Sequence, residues 1–253
     1  LARNVAIISD IHGNLEALTA VLSDISAQGI DEIWCLGDIV GYGPDPEACV
    51  DLVMKNCSVC VMGNHDWALL NRPVGFNDAA AAMIYLTQRR MRPGPDSSEE
   101  VRRRWEFIEG LPPSYKVDDV LLVHASPRDE LTEYLLPYDV DYDVEKLEDV
   151  FSLVGHVCFV GHSHIPCVFT SPREVLTPSE AQRDFEIGEG KLLVNEGSVG
   201  QPRDNDSRSC YVTLEDDVVR YRRVAYEHQK TMNKIFALGD EYWSLGYRLA
   251  IGR

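Results

Sequence analysis

The chain has 253 residues, 45% hydrophobic and 26% charged, enough for one large core or two modest ones in an ordinary globular protein. A net charge of −17 argues against binding to a nucleic-acid duplex or an anionic membrane surface, and no apolar run approaches the roughly 18 residues that span a bilayer. The opening Leu1-Ala2-Arg3-Asn4 carries no apolar leader and the seven cysteines form no dense framework, so a reduced, cytoplasmic setting is expected.

Residues 5–9 read as a strand. A helix follows from Asn14 to about Gln28, with Leu15, Leu18, Val21, Leu22 and Ile25 at helical spacing, Asn14 as its N-cap and Gly29 as its stop. A strand at 32–36, a helix near 45–55 and a strand at 58–62 complete a β-α-β-α-β alternation. Such alternation predicts parallel strands covered by helices, with ligands bound beyond the carboxyl ends of the strands. Cys57 and Cys60 form a lone pair with no second pair to complete a zinc site, and they read as structural.

Between 67 and 113 the pattern changes to two helices, about 79–91 and 98–109, broken by Pro93-Gly94-Pro95-Asp96. Their place in the chain predicts a small helical cap over the site. Arg89, Arg90, Arg92, Arg102, Arg103 and Arg104 make this the most basic stretch; a solvated helix face is the main reading and contact with substrate the other. Strands at 115–118 and 120–123 then flank the turn Asp118-Asp119, and a helix at 143–153 leads into a strand at 157–160. Short runs at 166–170, 184–187, 191–195, 208–214 and 217–225 read as antiparallel strands. The prediction is an α/β fold: a two-sheet mixed β-sandwich flanked by helices. One domain spans 1–253, with the cap insertion at about 67–113 and a helical tail at about 228–253.

The chemistry is concentrated where apolar runs end. Val5-Ala6-Ile7-Ile8 runs into Asp10 and His12, and Ile33-Trp34-Cys35-Leu36 into Asp38. Val59-Cys60-Val61-Met62 runs into Asn64 and His65, Val120-Leu121-Leu122-Val123 into His124, and Val157-Cys158-Phe159-Val160 into His162 and His164. Five of the seven histidines fall in this set, which packing alone does not explain. Mixed nitrogen and oxygen donors suit borderline divalent ions such as Mn, Fe, Zn, Ni or Co, and the absence of cysteine argues against a closed structural zinc site. Eight donors are too many for one ion and suit two that share a carboxylate, an arrangement that serves in-line displacement at phosphorus. Two divalent ions with two Asp carboxylates and a hydroxide leave a local charge of about +1 in an otherwise acidic protein.

In order, Asp10-Ile11-His12, Gly37-Asp38-Ile39-Val40-Gly41, Gly63-Asn64-His65-Asp66, His124 and Gly161-His162-Ser163-His164 resemble the five motifs of the calcineurin-like metallophosphoesterase superfamily. Similarity to its small bacterial and archaeal phosphoesterase branch continues through Asn195-Glu196-Gly197-Ser198-Val199-Gly200-Gln201-Pro202-Arg203. The resemblance implies the superfamily's fold and hydrolysis of a small phosphodiester or phosphomonoester by a metal-bridging hydroxide. It implies Asp10, His12 and His164 as ligands of one metal, Asn64, His124 and His162 as ligands of a second, and Asp38 as the bridge. His65 would be the general acid, with Asp66 either orienting it or capping the following helix, and Gly63 would permit a sharp exit from the strand.

Two departures stand out. Glu196 replaces the Pro of Asn-Pro-Gly-Ser, where it either shifts substrate choice or points away. No arginine follows Asp38, unlike in Ser/Thr protein phosphatases and dinucleotide-polyphosphate hydrolases, so those activities are the alternative only if Arg203 or a cap arginine supplies the phosphate clamp. A non-catalytic scaffold of the same fold is the remaining alternative.

Overall fold

The computed structural model describes residues 4–179 and 182–253; residues 1–3 of the opening tetrapeptide lie outside it. The first half alternates as read: β1 Asn4–Ile8, α1 Leu15–Ala27, β2 Glu32–Cys35, α2 Pro46–Asn56 and β3 Val59–Cys60. Three helices follow, α3 Asn64–Leu70, α4 Asp78–Met91 and α5 Glu99–Glu109, then β4 Ser114–Val117 and β5 Val120–Val123. The second half holds α6 Asp139–Tyr142, α7 Val144–Leu153, β6 Val157–Val160, β7 Cys167–Ser171, β8 Glu174–Leu176, β9 Asp184–Glu186, β10 Leu192–Asn195, β11 Ser209–Glu215 and β12 Val218–Val224. The tail holds α8 His228–Phe236 and α9 Trp243–Ile251, with a short 3-10 turn at Asp240–Tyr242 before α9. The tail was expected to be continuous; Gly239, at φ +141°, breaks it in a conformation that side-chain-bearing residues rarely adopt.

The strands form two six-stranded sheets, ordered β3-β2-β1-β11-β12-β9 and β4-β5-β6-β10-β7-β8. β1, β2 and β3 run parallel, as do β5, β6 and β10, and the remaining pairings are antiparallel. Alternation within a strand sorts side chains between layers. In β1, Val5 and Ile7 enter the core between the sheets with Trp34, Phe159, Val194 and Val212, while Ala6 and Ile8 join Leu18, Val21 and Val50 under α1 and α2. The loops beyond β1, β2, β5 and β6 meet one another: the Asp10 N–H donates to Gly37 O at 3.1 Å, the Gly161 N–H to His124 O at 2.8 Å and the His162 N–H to Asp10 Oδ2 at 3.0 Å.

Asn14 caps α1 by accepting from the Ala17 N–H at 3.2 Å. The same Asn14 oxygen accepts from Thr231 Oγ1 of α8 at 3.0 Å, and Lys234 reaches Glu16 at 2.7 Å and Asp45 at 2.6 Å. The tail also shares an apolar cluster with α4, in which Met232, Ile235, Leu245 and Leu249 pack with Ala80, Met83 and Tyr42.

Candidate metal centre

Asp10, His12, Asp38, His65, His124, His162 and His164 are all buried, and Asn64 is half-buried. Asp10, Asp38, His12, His162 and His164 have φ between +50° and +63°, five of the nine non-glycine residues with positive φ among those described. Left-handed backbone costs energy for such residues and persists where the surroundings impose it, so this concentration marks the loops as built for their side chains rather than for local comfort.

The donor atoms fall into two groups that meet at Asp38. In the first, His12 Nε2 lies 3.1 Å from His164 Nε2, His164 Nε2 lies 3.1 Å from Asp10 Oδ1, and His12 Nε2 lies 3.6 Å from both Asp10 Oδ1 and Asp38 Oδ2. In the second, Asn64 Oδ1 lies 3.0 Å from His124 Nε2 and 3.0 Å from His162 Nδ1, and His124 Nε2 lies 3.4 Å from Asp38 Oδ2. The same oxygen of Asp38 thus faces both groups.

Each of these four imidazoles commits its outer nitrogen to a backbone carbonyl. His12 Nδ1 donates to Val40 O at 3.3 Å, His124 Nδ1 to Leu36 O at 2.9 Å, His162 Nε2 to Thr132 O at 3.2 Å and His164 Nδ1 to Gln201 O at 2.5 Å. A carbonyl only accepts, so the outer nitrogen carries the proton and a neutral ring turns a lone pair inward. Asp10 Oδ1 is buried with no hydrogen-bond partner. Burial and Arg203 push His164 down to about 3, so it supplies no proton to that carboxylate. Burial and His124 likewise push His162 down to about 4. Burial opposes charge on His124 too, but Asp38 and Asp10 outweigh it and hold this imidazole up to about 9. Lone pairs aimed at one another and a single proton drawn into the middle are both signs of unmet demand for positive charge. The residues fit divalent cations.

His65 differs. Neither ring nitrogen bonds a carbonyl, Nδ1 is buried without a partner, and the ring sits 4.6 Å from His12 and from Tyr42 and 4.7 Å from Phe76, centroid to centroid. Its backbone N–H donates to Asp38 Oδ1 at 2.7 Å. Burial holds His65 well below the usual histidine range, against the pull of Asp38. His65, His12 and Asp38 are nonetheless near enough, within 4.8 Å, to form a third donor set.

Two open alternatives narrow and one expectation changes. Asp66 does not touch the His65 ring: its carboxylate accepts from the N–H groups of Ile39 at 3.0 Å, Val40 at 3.2 Å and Gly63 at 3.2 Å, so it caps α3 and ties it to the Asp38 loop. Gly63 is needed for space rather than for a sharp turn. Its φ of −91° suits any residue, but a Cβ there would collide with the Asp38 carboxylate. Glu196 is fully buried with neither oxygen bonded, and it is not among the residues lining the cavity described next; burial and the nearby Asp10 hold its carboxyl well above the usual range.

A cavity of about 220 Å³ opens over the donors, lined by Asp38, Asn64, His65, His162 and His164 and walled by Tyr42, Trp67, Phe76, Tyr134 and Arg203. The Tyr134 ring lies 4.1 Å from that of His162. Of the 67–113 insertion, Trp67 and residues 74–77 reach this cavity; none of the six cap arginines does. Arg90 pairs with Glu47, Arg104 with Asp51, Arg102 with the carbonyls of Gly94 and Pro95, and Arg92 stacks over Trp105. Tyr42, Phe76, Thr132 and Tyr134 were not singled out in the sequence. Only Tyr42, between two glycines just after Asp38, carried a signal that could have been followed.

Fold and site together define a hydrolase acting on phosphoester bonds. The calcineurin-like phosphoesterase superfamily domain matches residues 4–217, and the chain belongs to that superfamily. A metallophosphoesterase from Sphaerobacter thermophilus is 34% identical and superposes over all of both chains with a TM-score of 0.83. A protein of Methanocaldococcus jannaschii is 38% identical over 258 residues, covering 98% of each chain. A symmetrical bis(5'-nucleosyl)-tetraphosphatase of Pseudomonas fluorescens is 35% identical over 126 residues, 47% of this chain and 40% of that one.

Proposed function

We propose that the chain is a dinuclear-metal-dependent phosphoesterase of small phosphodiesters or phosphomonoesters. Asp10, His12 and His164 would hold one divalent ion, Asn64, His124 and His162 the other, and Asp38 would serve both. The observation that carries this is the double engagement of Asp38 Oδ2, 3.6 Å from His12 Nε2 and 3.4 Å from His124 Nε2, with both imidazoles oriented by carbonyls. When bound, such a pair of ions supplies an acidic water as nucleophile and neutralises charge on the phosphoryl oxygens.

The protein's own part is orientation and proton transfer. Carbonyl contacts lock four imidazoles, and the His65 N–H fixes the rotation of Asp38. His65 is the one site imidazole left without a carbonyl anchor, which suits it to give a proton to the departing oxygen. Burial disfavours its charged form, so the proton would be taken up once a phosphate's negative charge occupies the cavity. A small ester, rather than a nucleic-acid duplex, suits a cavity of this size in a protein of net charge −17. Among the described residues no helix is long and apolar enough to cross a membrane. A reducing, cytoplasmic setting is part of this proposal and rests on the seven free cysteines.

The test is turnover of bis-p-nitrophenyl phosphate by purified protein supplied with Mn, and its loss in Asp38→Ala and His65→Ala. Inactivity with each of Mn, Ni, Co and Zn would sink the reading. Partial similarity to symmetrical tetraphosphatases favours a second one, hydrolysis of a dinucleotide polyphosphate. Faster turnover of diadenosine tetraphosphate than of simple esters would select it.

A further inference from the structure

Among the described residues, Arg203 is an arginine without an acid. The chain has 41 Asp and Glu against 24 Lys and Arg, so carboxylates are in excess. Arg90, Arg104, Arg128, Arg208, Arg220 and Arg223 each reach one. Half-buried Arg203 has no carboxylate within 4.0 Å among the described residues. Its Nη2 donates only to neutral acceptors, Tyr42 Oη at 3.2 Å and Gln201 Oε1 at 3.0 Å, and its Nε is buried with no acceptor at all. A guanidinium withdrawn from water loses solvation that neutral acceptors do not replace, so a fold that leaves one so must gain by it elsewhere.

Its surroundings say where. Arg203 lines the cavity over the donor atoms together with Asp38, His65 and His164. Its positive charge is felt at His65 and His164, where it adds to the depression caused by burial. The residue is also held in place: its backbone N–H donates to His164 O at 3.2 Å, and the guanidinium Cζ lies 5.7 Å over the Tyr42 ring. Gln201 links it to the donor cluster, since its carbonyl accepts from His164 Nδ1 while its side chain accepts from Arg203. A fixed fork of donors with unused capacity, in a pocket where no carboxylate comes within 4.0 Å of it among the described residues, is suited to one kind of guest.

Resting on the phosphoesterase reading, we propose that Arg203 is the anion clamp of this site, binding a non-bridging phosphoryl oxygen of the substrate while Tyr42 and Gln201 hold the guanidinium ready. It thereby takes the place of the arginine that is missing after Asp38, from a loop some 160 residues away in the chain.

The experiment compares Mn-supplied wild type with Arg203→Gln and Arg203→Lys. Binding of inorganic phosphate is measured by calorimetry, alongside KM and kcat for p-nitrophenyl phosphate and the bound metal per chain. The clamp predicts that phosphate binding and KM worsen about 10- to 100-fold in Arg203→Gln with metal content unchanged. Arg203→Lys should recover only part, because a point charge lacks the fork. Added guanidinium should partly restore turnover to an Arg203→Gly chain, which a merely structural arginine would not allow. Phosphate affinity and KM within twofold of wild type in a folded Arg203→Gln chain would overturn the clamp. If that variant does not fold, equal phosphate affinity in Arg203→Lys would overturn it instead. A wild type that binds phosphate through Arg203 yet hydrolyses no ester would count against the phosphoesterase reading and leave the clamp standing.

Discussion

The backbone N–H of His65 donates to Asp38 Oδ1 at 2.7 Å. One carboxylate oxygen is thereby occupied, and the other is left to face His12 and His124. His65 consequently does two things with two parts of itself: its main chain sets the shared carboxylate, and its side chain stays free of any carbonyl anchor.

Those roles separate on mutation. His65→Ala keeps the main-chain N–H, so bound metal per chain should match wild type while turnover of bis-p-nitrophenyl phosphate falls about 10²- to 10⁴-fold. Metal loss in parallel with activity would instead make His65 a ligand.

Gly63 gives a steric prediction. Because a Cβ there meets the Asp38 carboxylate, Gly63→Ala should destabilise the chain by about 1–3 kcal/mol in chemical denaturation and lower metal affinity as well. A variant as stable as wild type would mean that the Asp38 loop yields without cost.

Lone pairs turned on each other should make divalent metal a strong stabiliser. At a hundredfold excess over its dissociation constant, one ion adds about 2.7 kcal/mol. Chelation should therefore lower the melting temperature by about 5–10 °C for a domain of this size. Removal of metal with no change in melting would show that the donors are content alone.

The tail offers a pH test away from the centre. Burial opposes charge on Glu16, but Lys234 and Thr231 outweigh it and hold the carboxyl below its ordinary 4.5. A depressed carboxyl contributes stability above the unfolded value and loses it as pH falls through the folded one. Glu16→Gln should thus cost about 1–2 kcal/mol at pH 7, with the gap to wild type closing below about pH 4.5. A gap independent of pH would assign the effect to packing.

Most of the sandwich and all of the clustered donors were legible because each signal was local. A buried run followed by Asp, Asn or His is visible in a few residues, and parallel strands bring such ends together. Register between distant segments was not legible. That His162 leans on the Thr132 carbonyl and the Tyr134 ring, or that Arg203 reaches Tyr42, depends on how loops far apart in sequence are laid side by side. Asp66 was ambiguous for the same reason, since capping a helix and orienting an imidazole need the same residue type. For the cap arginines the charge showed in sequence and a helix face away from substrate was the main reading, but the partners Glu47 and Asp51 were not legible because they lie on another helix.

Anomalous diffraction from crystals grown with Mn is the measurement that bears most directly on the dinuclear reading. It should show two peaks, one among Asp10, His12, His164 and Asp38 and the other among Asp38, Asn64, His124 and His162, with His65 bound to neither. A single peak, or one ligated by His65, would contradict it.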